Sequence, residues 1–243
     1  MITFPDDVKA AYSRSKNIIR KTPLDHSPAL SNIIDGDVYL KLDNIQKTGS
    51  FKFRGAISKM TSLNEKQRKR GVVTASTGNH GAAVSLGMKI LGINGSIIVP
   101  ENIAPNKVEN IQNLGGTVEY YGNDCLEAEQ RAQEISSGTG ATYISPYNDP
   151  VIVAGQGTMG VELDEVLSNI DAVIVAVGGG GLISGIGGYL KTVQPNVEMI
   201  GCSPKNSCVM YESLKAGRIL DLPSKPTLSD GTAGGVEKNS ITF

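Results

Sequence analysis

The stretch DAVIVAVGGGGLISG, residues 171–185, decides the fold. Ala172 to Val177 are all apolar and largely β-branched, with no polar alternation, which describes a strand. Four glycines follow, Gly178 to Gly181, then a helical run to about Val193 and a second apolar run, VEMIGC (197–202). Strand, turn, helix and strand in this order make a unit of a parallel sheet covered by helices. Upstream, a helix is expected from about Thr158 to Leu167, in a series that begins near Gly155.

Working outward, an earlier series repeats the alternation. GVVTAS (71–76) reads as a strand, the Ala-rich run after Asn79 as a helix, and GSIIVP (95–100) as a strand. Pro105 can open a helix to Leu114 that Gly115 and Gly116 would end, before the strand TVEYY (117–121). Asp124 reads as an N-cap, with Glu127 as its box partner, for a helix through Ile135, followed by the strand TYIS (142–145). Nearer the start, residues 6–20 read as a capped amphipathic helix, and VYLKLDN (38–44) as a half-buried strand. Two α/β series predict two lobes with a ligand cleft between them. The expected division is 1–70 with 149–243 as a discontinuous large domain, and 71–148 as a small one.

The 243 residues are 40% apolar and 19% charged, ordinary values for a globular chain with its own core. A formal net charge of −1 gives no reason to expect nucleic acid or an acidic membrane surface as a partner, so small molecules are the expected ligands. Cys125, Cys202 and Cys208 fit neither a disulfide framework nor a CxxC motif. The acidic start MITFPDDVKAAY lacks the basic flank and apolar core of a secretory signal, so a cytoplasmic location is expected.

Three segments carry chemistry. At Gly178-Gly179-Gly180-Gly181-Leu182 the backbone can aim several N–H groups at one point beside a helix N-terminus, which suits a phosphate; the competing reading is a turn that needs glycine for packing. The loop ends in Leu-Ile-Ser-Gly, so it is no P-loop, and Ile183 at the sixth position breaks the dinucleotide fingerprint GxGxxG. In Lys47-Thr48-Gly49-Ser50-Phe51-Lys52-Phe53-Arg54-Gly55, Lys52 stands between two aromatic rings. Desolvation there would supply the neutral amine that Schiff-base chemistry needs, although a lysine at a helix start is more often solvated. In Ser76-Thr77-Gly78-Asn79-His80-Gly81, hydroxyls and backbone N–H groups can hold a carboxylate, or the segment is simply an N-cap. Two histidines, His26 and His80, support neither a metal cluster nor a Ser-His-Asp triad.

Together and in this order, TGSFKFRGA, STGNHGAA and GGGGLISG resemble the three signature segments of fold type II pyridoxal 5'-phosphate (PLP) enzymes, specifically the threonine/serine dehydratase and serine racemase family. The resemblance runs over essentially the whole chain. It implies a tryptophan synthase β-like α/β fold of two lobes with open parallel sheets, and PLP as cofactor. It implies a PLP-dependent ammonia-lyase that turns a β-hydroxyamino acid such as L-threonine or L-serine into a 2-oxo acid and ammonia.

By the same resemblance Lys52 would hold PLP and act as catalytic base, with Phe51 packed beside the cofactor. Gly178, Gly179, Gly180, Gly181 and Leu182 would cup its phosphate, and Asn79 would bond its ring hydroxyl. Ser76, Thr77, Asn79 and His80 would take the substrate carboxylate, and Lys41 would be structural. A hydroxyl at Thr77 leaves racemisation open, while Cys202-Ser203-Pro204-Lys205-Asn206 lacks the acidic residue of the racemases' cation site, so no metal is expected. Gln46 to Arg54 fit dehydratases better than the β-replacement enzymes of the same fold. Family members continue past the segment matching Ser229 to Gly235, whereas this sequence stops at Phe243; a C-terminally short fold is expected, with an inactive PLP-binding relative as the alternative. A homodimer is expected from the resemblance alone.

Overall fold

The computed structural model describes residues 3–243. In chain order its elements are α1 (Asp6–Ser15), β1 (Leu24–His26), α2 (Pro28–Ile34), β2 (Tyr39–Lys41), α3 (Lys52–Thr61), α4 (Glu65–Arg70), β3 (Val72–Ala75), α5 (Asn79–Leu91), β4 (Gly95–Val99) and α6 (Pro105–Asn113). There follow β5 (Val118–Tyr120), α7 (Cys125–Thr139), β6 (Thr142–Tyr143), α8 (Pro150–Asp164), β7 (Ala172–Ala176), α9 (Gly181–Val193), β8 (Glu198–Cys202) and α10 (Val209–Ala216).

Both α/β series form parallel sheets. The first is four-stranded in the order β5-β4-β3-β6, and in the second β7 runs beside β8 from Ala172 opposite Glu198 to Ala176 opposite Cys202. A third pair departs from the parallel expectation: β1 and β2 are antiparallel, with Leu24 opposite Lys41 and His26 opposite Tyr39. The strand expected over 38–44 narrows to three residues, and Tyr39 and Leu40 are 41% and 42% exposed. A two-stranded ribbon lacks a layer to cover either face, so its alternation does not sort apolar from polar.

Helix boundaries differ where side chains act over distance. The first helix stops at Ser15, whose hydroxyl bonds Ala11 O, instead of reaching Arg20. Asp124 caps α7 as expected, accepting from the N–H groups of Leu126 and Glu127, but the Glu127 carboxylate takes the N–H of Asn123, one residue before the cap. The largest difference is α8, which begins at Pro150 under an Asp149 cap rather than near Thr158. Its glycines are close-approach points instead of breakers: a Cβ on Gly155 would stand 2.8 Å from Gly55 Cα, and one on Gly157 2.7 Å from Gly185 O.

Helix α3 is the seam of the molecule. Phe53, Ala56, Ile57 and Met60 join Ala83, Val84 and Met88 of α5 in one core, while α8, α9 and α1 build another around Val175. The first residue of this seam is Lys52, and the turns after β3, β6 and β7 all open at the carboxyl ends of parallel strands, where open α/β sheets bind ligands. Among the described residues no helix is long and apolar enough to cross a membrane.

Candidate active site

Lys52 follows a tight turn in which Gly49 has a φ of 75°. Its Nζ donates to Pro146 O at 2.8 Å and lies 5.4 Å from the centre of the Phe51 ring. Burial without a carboxylate partner pulls the amine down to about 8. The amine is thus desolvated, and a carbonyl holds it in place. Lys41 differs in kind: Nζ sits 2.6 Å from Glu162 Oε2 and 2.6 Å from Thr22 O. It is an ion-pair partner.

Helix α5 begins at Asn79 with Gly78 as its N-cap and no capping side chain, so the simple N-cap reading of Ser76, Thr77 or Asn79 does not hold. The first intrahelical bond is Ala82 N–H to Gly78 O, which leaves the N–H groups of Asn79, His80 and Gly81 without a helical acceptor, a geometry suited to an anion. Ser76 Oγ accepts from Gly78 N–H within that turn, and Thr77 is half-buried beside it. Asn79 is exposed, its amide nitrogen facing Gly231 of the terminal segment. The ring of His80 turns the other way. It is 4% exposed, with Nε2 2.9 Å from Ile144 O, so toward a carboxylate this residue offers only its backbone N–H.

The glycine loop repeats this geometry. Gly180, at a φ of 80°, caps α9, and Ser184 N–H to Gly180 O is the first helical bond, so the N–H groups of Gly181, Leu182 and Ile183 are spare. The Leu182 side chain packs against the core, leaving its N–H as the polar contribution. A Cβ on Gly178 would stand 2.9 Å from Thr232 O, on Gly179 2.5 Å from the Tyr147 ring, on Gly180 3.0 Å from Thr242, and on Gly181 3.0 Å from Tyr147 Cβ. Close walls, and not looseness, account for four glycines in a row. Thr242 Oγ1 donates to Gly179 O at 2.7 Å.

The segment Ile144 to Asn148, between β6 and α8, joins the three. Ile144 O meets His80, Pro146 O accepts from Lys52, and Tyr147 lies against Gly179 and Gly181. Sequence reasoning assigned it no role, because its contribution is two carbonyl groups and one ring; its position after a parallel strand was the available signal. Behind α3, the fully buried Arg54 is bound by Asp43 and Glu162 at 2.7 and 2.6 Å. Burial opposes the guanidinium charge, but the two carboxylates more than offset it and raise its pKa. Among the described residues no group of three or more His, Cys, Asp or Glu could hold a metal ion.

Residues 16–243 match the family described as "Pyridoxal-phosphate dependent enzyme". The chain is 45% identical over 233 residues to the L-threonine ammonia-lyase of Thermotoga maritima, covering 96% of this chain and 58% of that protein. It is 40% identical over 224 residues to the serine racemase of Arabidopsis thaliana, covering 92% and 68%. Among solved structures, maize serine racemase has a TM-score of 0.91 at 34% identity, covering 96% of this chain and 70% of that one. The chain thus spans less than two thirds of the length of the Thermotoga relative.

Proposed function

Because the chain belongs to the pyridoxal-phosphate dependent enzyme family, we propose that it is an ammonia-lyase converting a β-hydroxyamino acid, L-threonine or L-serine, to a 2-oxo acid and ammonia. The observation that carries this reading is the convergence of a desolvated lysine, a spare helix N-terminus and a side-chain-free glycine cup on the single segment Ile144 to Asn148.

The residues present fit PLP. The glycine loop leads into the spare N–H groups of Gly181, Leu182 and Ile183 at the N-terminus of α9, which suits the cofactor phosphate. Lys52 would hold the carbonyl end, with Phe51 beside it and Asn79 bonding the ring hydroxyl. Ser50 Oγ, two residues before Lys52, is buried without a partner. When bound, PLP supplies an electron sink for the charge left when a proton leaves Cα.

The chain's own work is positioning and proton movement. The spare N–H groups of Asn79, His80 and Gly81, with the hydroxyls of Ser76 and Thr77, bind the substrate carboxylate. The Lys52 amine takes the Cα proton, which its lowered pKa allows near neutral pH. Loss of the β-hydroxyl as water then leaves an enamine, whose hydrolysis gives the 2-oxo acid and ammonia.

Racemisation is a second activity of the same site, supported by the half-buried hydroxyl of Thr77 and by the likeness to serine racemases. Leu30, Ile33 and Ile34 of α2, with Tyr39 and Leu40 of β2, are exposed and support a homodimer. The test is 2-oxo acid release from L-threonine and L-serine by the PLP-loaded protein, with chiral analysis of the remaining serine. Turnover that is lost in Lys52→Ala supports the lyase. Bound cofactor without turnover, or efficient β-replacement with sulfide on O-acetylserine, refutes it.

A further inference from the structure

We propose that the imidazole of His80 is a positioning residue, tying the carboxylate-binding turn of α5 to the segment that holds Lys52 and so fixing the distance between substrate carboxylate and catalytic amine. The inference rests on the lyase reading above for its substrate, and on the following geometry for the tether.

His80 is buried, and Nε2 lies 2.9 Å from Ile144 O. A carbonyl only accepts, so Nε2 carries the hydrogen and the ring is the Nε2–H tautomer. The same carbonyl takes the Thr74 hydroxyl at 2.7 Å, which fixes it from the β3 side. Ser145 Oγ then accepts the N–H groups of Asn148 at 2.9 Å and Tyr147 at 3.4 Å, and this turn sets the direction of the Pro146 carbonyl between them. That carbonyl holds Lys52 Nζ. The path from the α5 N-terminus to the amine therefore runs through His80, Ile144, Ser145 and Pro146, with a hydrogen bond at each end.

The donor has to be neutral. A cation at His80 would stand uncompensated beside the Lys52 ammonium, and burial together with the Lys52 charge pushes the ring down to about 3. Lysine or arginine could not replace it on the same ground. Glutamine could, since its amide is a neutral donor of similar reach, whereas leucine fills comparable space and donates nothing.

The test combines spectroscopy on the PLP-free protein with kinetics on the loaded one. The sequence has two histidines, so nitrogen-15 NMR resolves His80 from His26. The expected result is an Nε2–H tautomer that does not titrate between pH 8 and about pH 5, well below the ordinary histidine range. In His80→Leu the amide signals of Thr77 to Gly81 should move, and the KM for L-threonine should rise about tenfold, the equivalent of about 1.4 kcal/mol of lost positioning. PLP affinity should stay within about threefold, and His80→Gln should restore both KM and amide signals, since the neutral donor is regained.

A ring that titrates at the ordinary histidine pKa, an Nδ1–H tautomer, or an unchanged KM in His80→Leu overturns the proposal. Tautomer and titration are read on the unmodified protein, so the test stands even where His80→Leu does not fold. Absence of 2-oxo acid release by the unmodified enzyme would defeat the lyase reading instead, while the NMR arms still decide the tether.

Discussion

Replacing Lys52 by methionine should abolish turnover and at the same time stabilise the PLP-free protein. In the folded chain the amine sits at about 8 because burial disfavours its charge, against 10.5 for an ordinary lysine. That shift of about 2.5 units corresponds to about 3 kcal/mol lost by the folded state at pH 7, where both states carry the proton. Methionine has no charge to desolvate, but it gives up the bond to Pro146 O, which is worth about 1 kcal/mol. A net gain of about 2 kcal/mol remains, or roughly 4–8 °C in Tm for a chain of this length. The sign with pH is fixed: between about pH 8 and 10.5 the unfolded state binds more protons, so the wild-type protein gains stability as pH rises and the advantage of Lys52→Met shrinks. Thermal melts of both PLP-free proteins at pH 7 and pH 10 measure it. A variant no more stable than wild type at pH 7, or a gap that does not narrow by pH 10, would refute a desolvated amine at this position.

The remaining predictions concern the cup, the buried ion pairs and metals. Gly179→Ala places a methyl group against the Tyr147 ring and should weaken PLP binding at least about tenfold in an absorbance titration, with the melting temperature of the PLP-free protein the control for general damage. Glu162→Gln leaves Arg54 with a single carboxylate and Lys41 with none, so a loss of about 3–5 kcal/mol in denaturant unfolding is expected; a loss under about 1 kcal/mol would mean the network contributes no more than an exposed ion pair. A chelator should leave the rate of 2-oxo acid release unchanged, and a large loss would reveal a cation requirement that no cluster of the described residues suggests.

Lys52, Asn79 and Gly178 to Gly181 were legible as candidates because each lies where a turn enters a helix and the neighbouring residues suggest the proposed chemistry: an amine after a turn, spare N–H groups, a run without side chains. The two parallel series were legible for the same reason, since period and turn residues are local signals. The boundaries of α8 were not, because Gly155 and Gly157 look like breakers until Gly55 and Gly185 are seen to press against them. Nor were Pro146 and Ile144, whose contribution to the site is a backbone carbonyl that every residue possesses. Lys52 and Pro146 are 94 residues apart, and His80 and Ile144 are 64 apart. Sequence by itself determined which groups the chain offers for the proposed chemistry. Only the tertiary structure decided which carbonyl holds the lysine and which way the histidine faces, because those depend on where the β6–α8 segment lands once α5 and α8 have packed on α3.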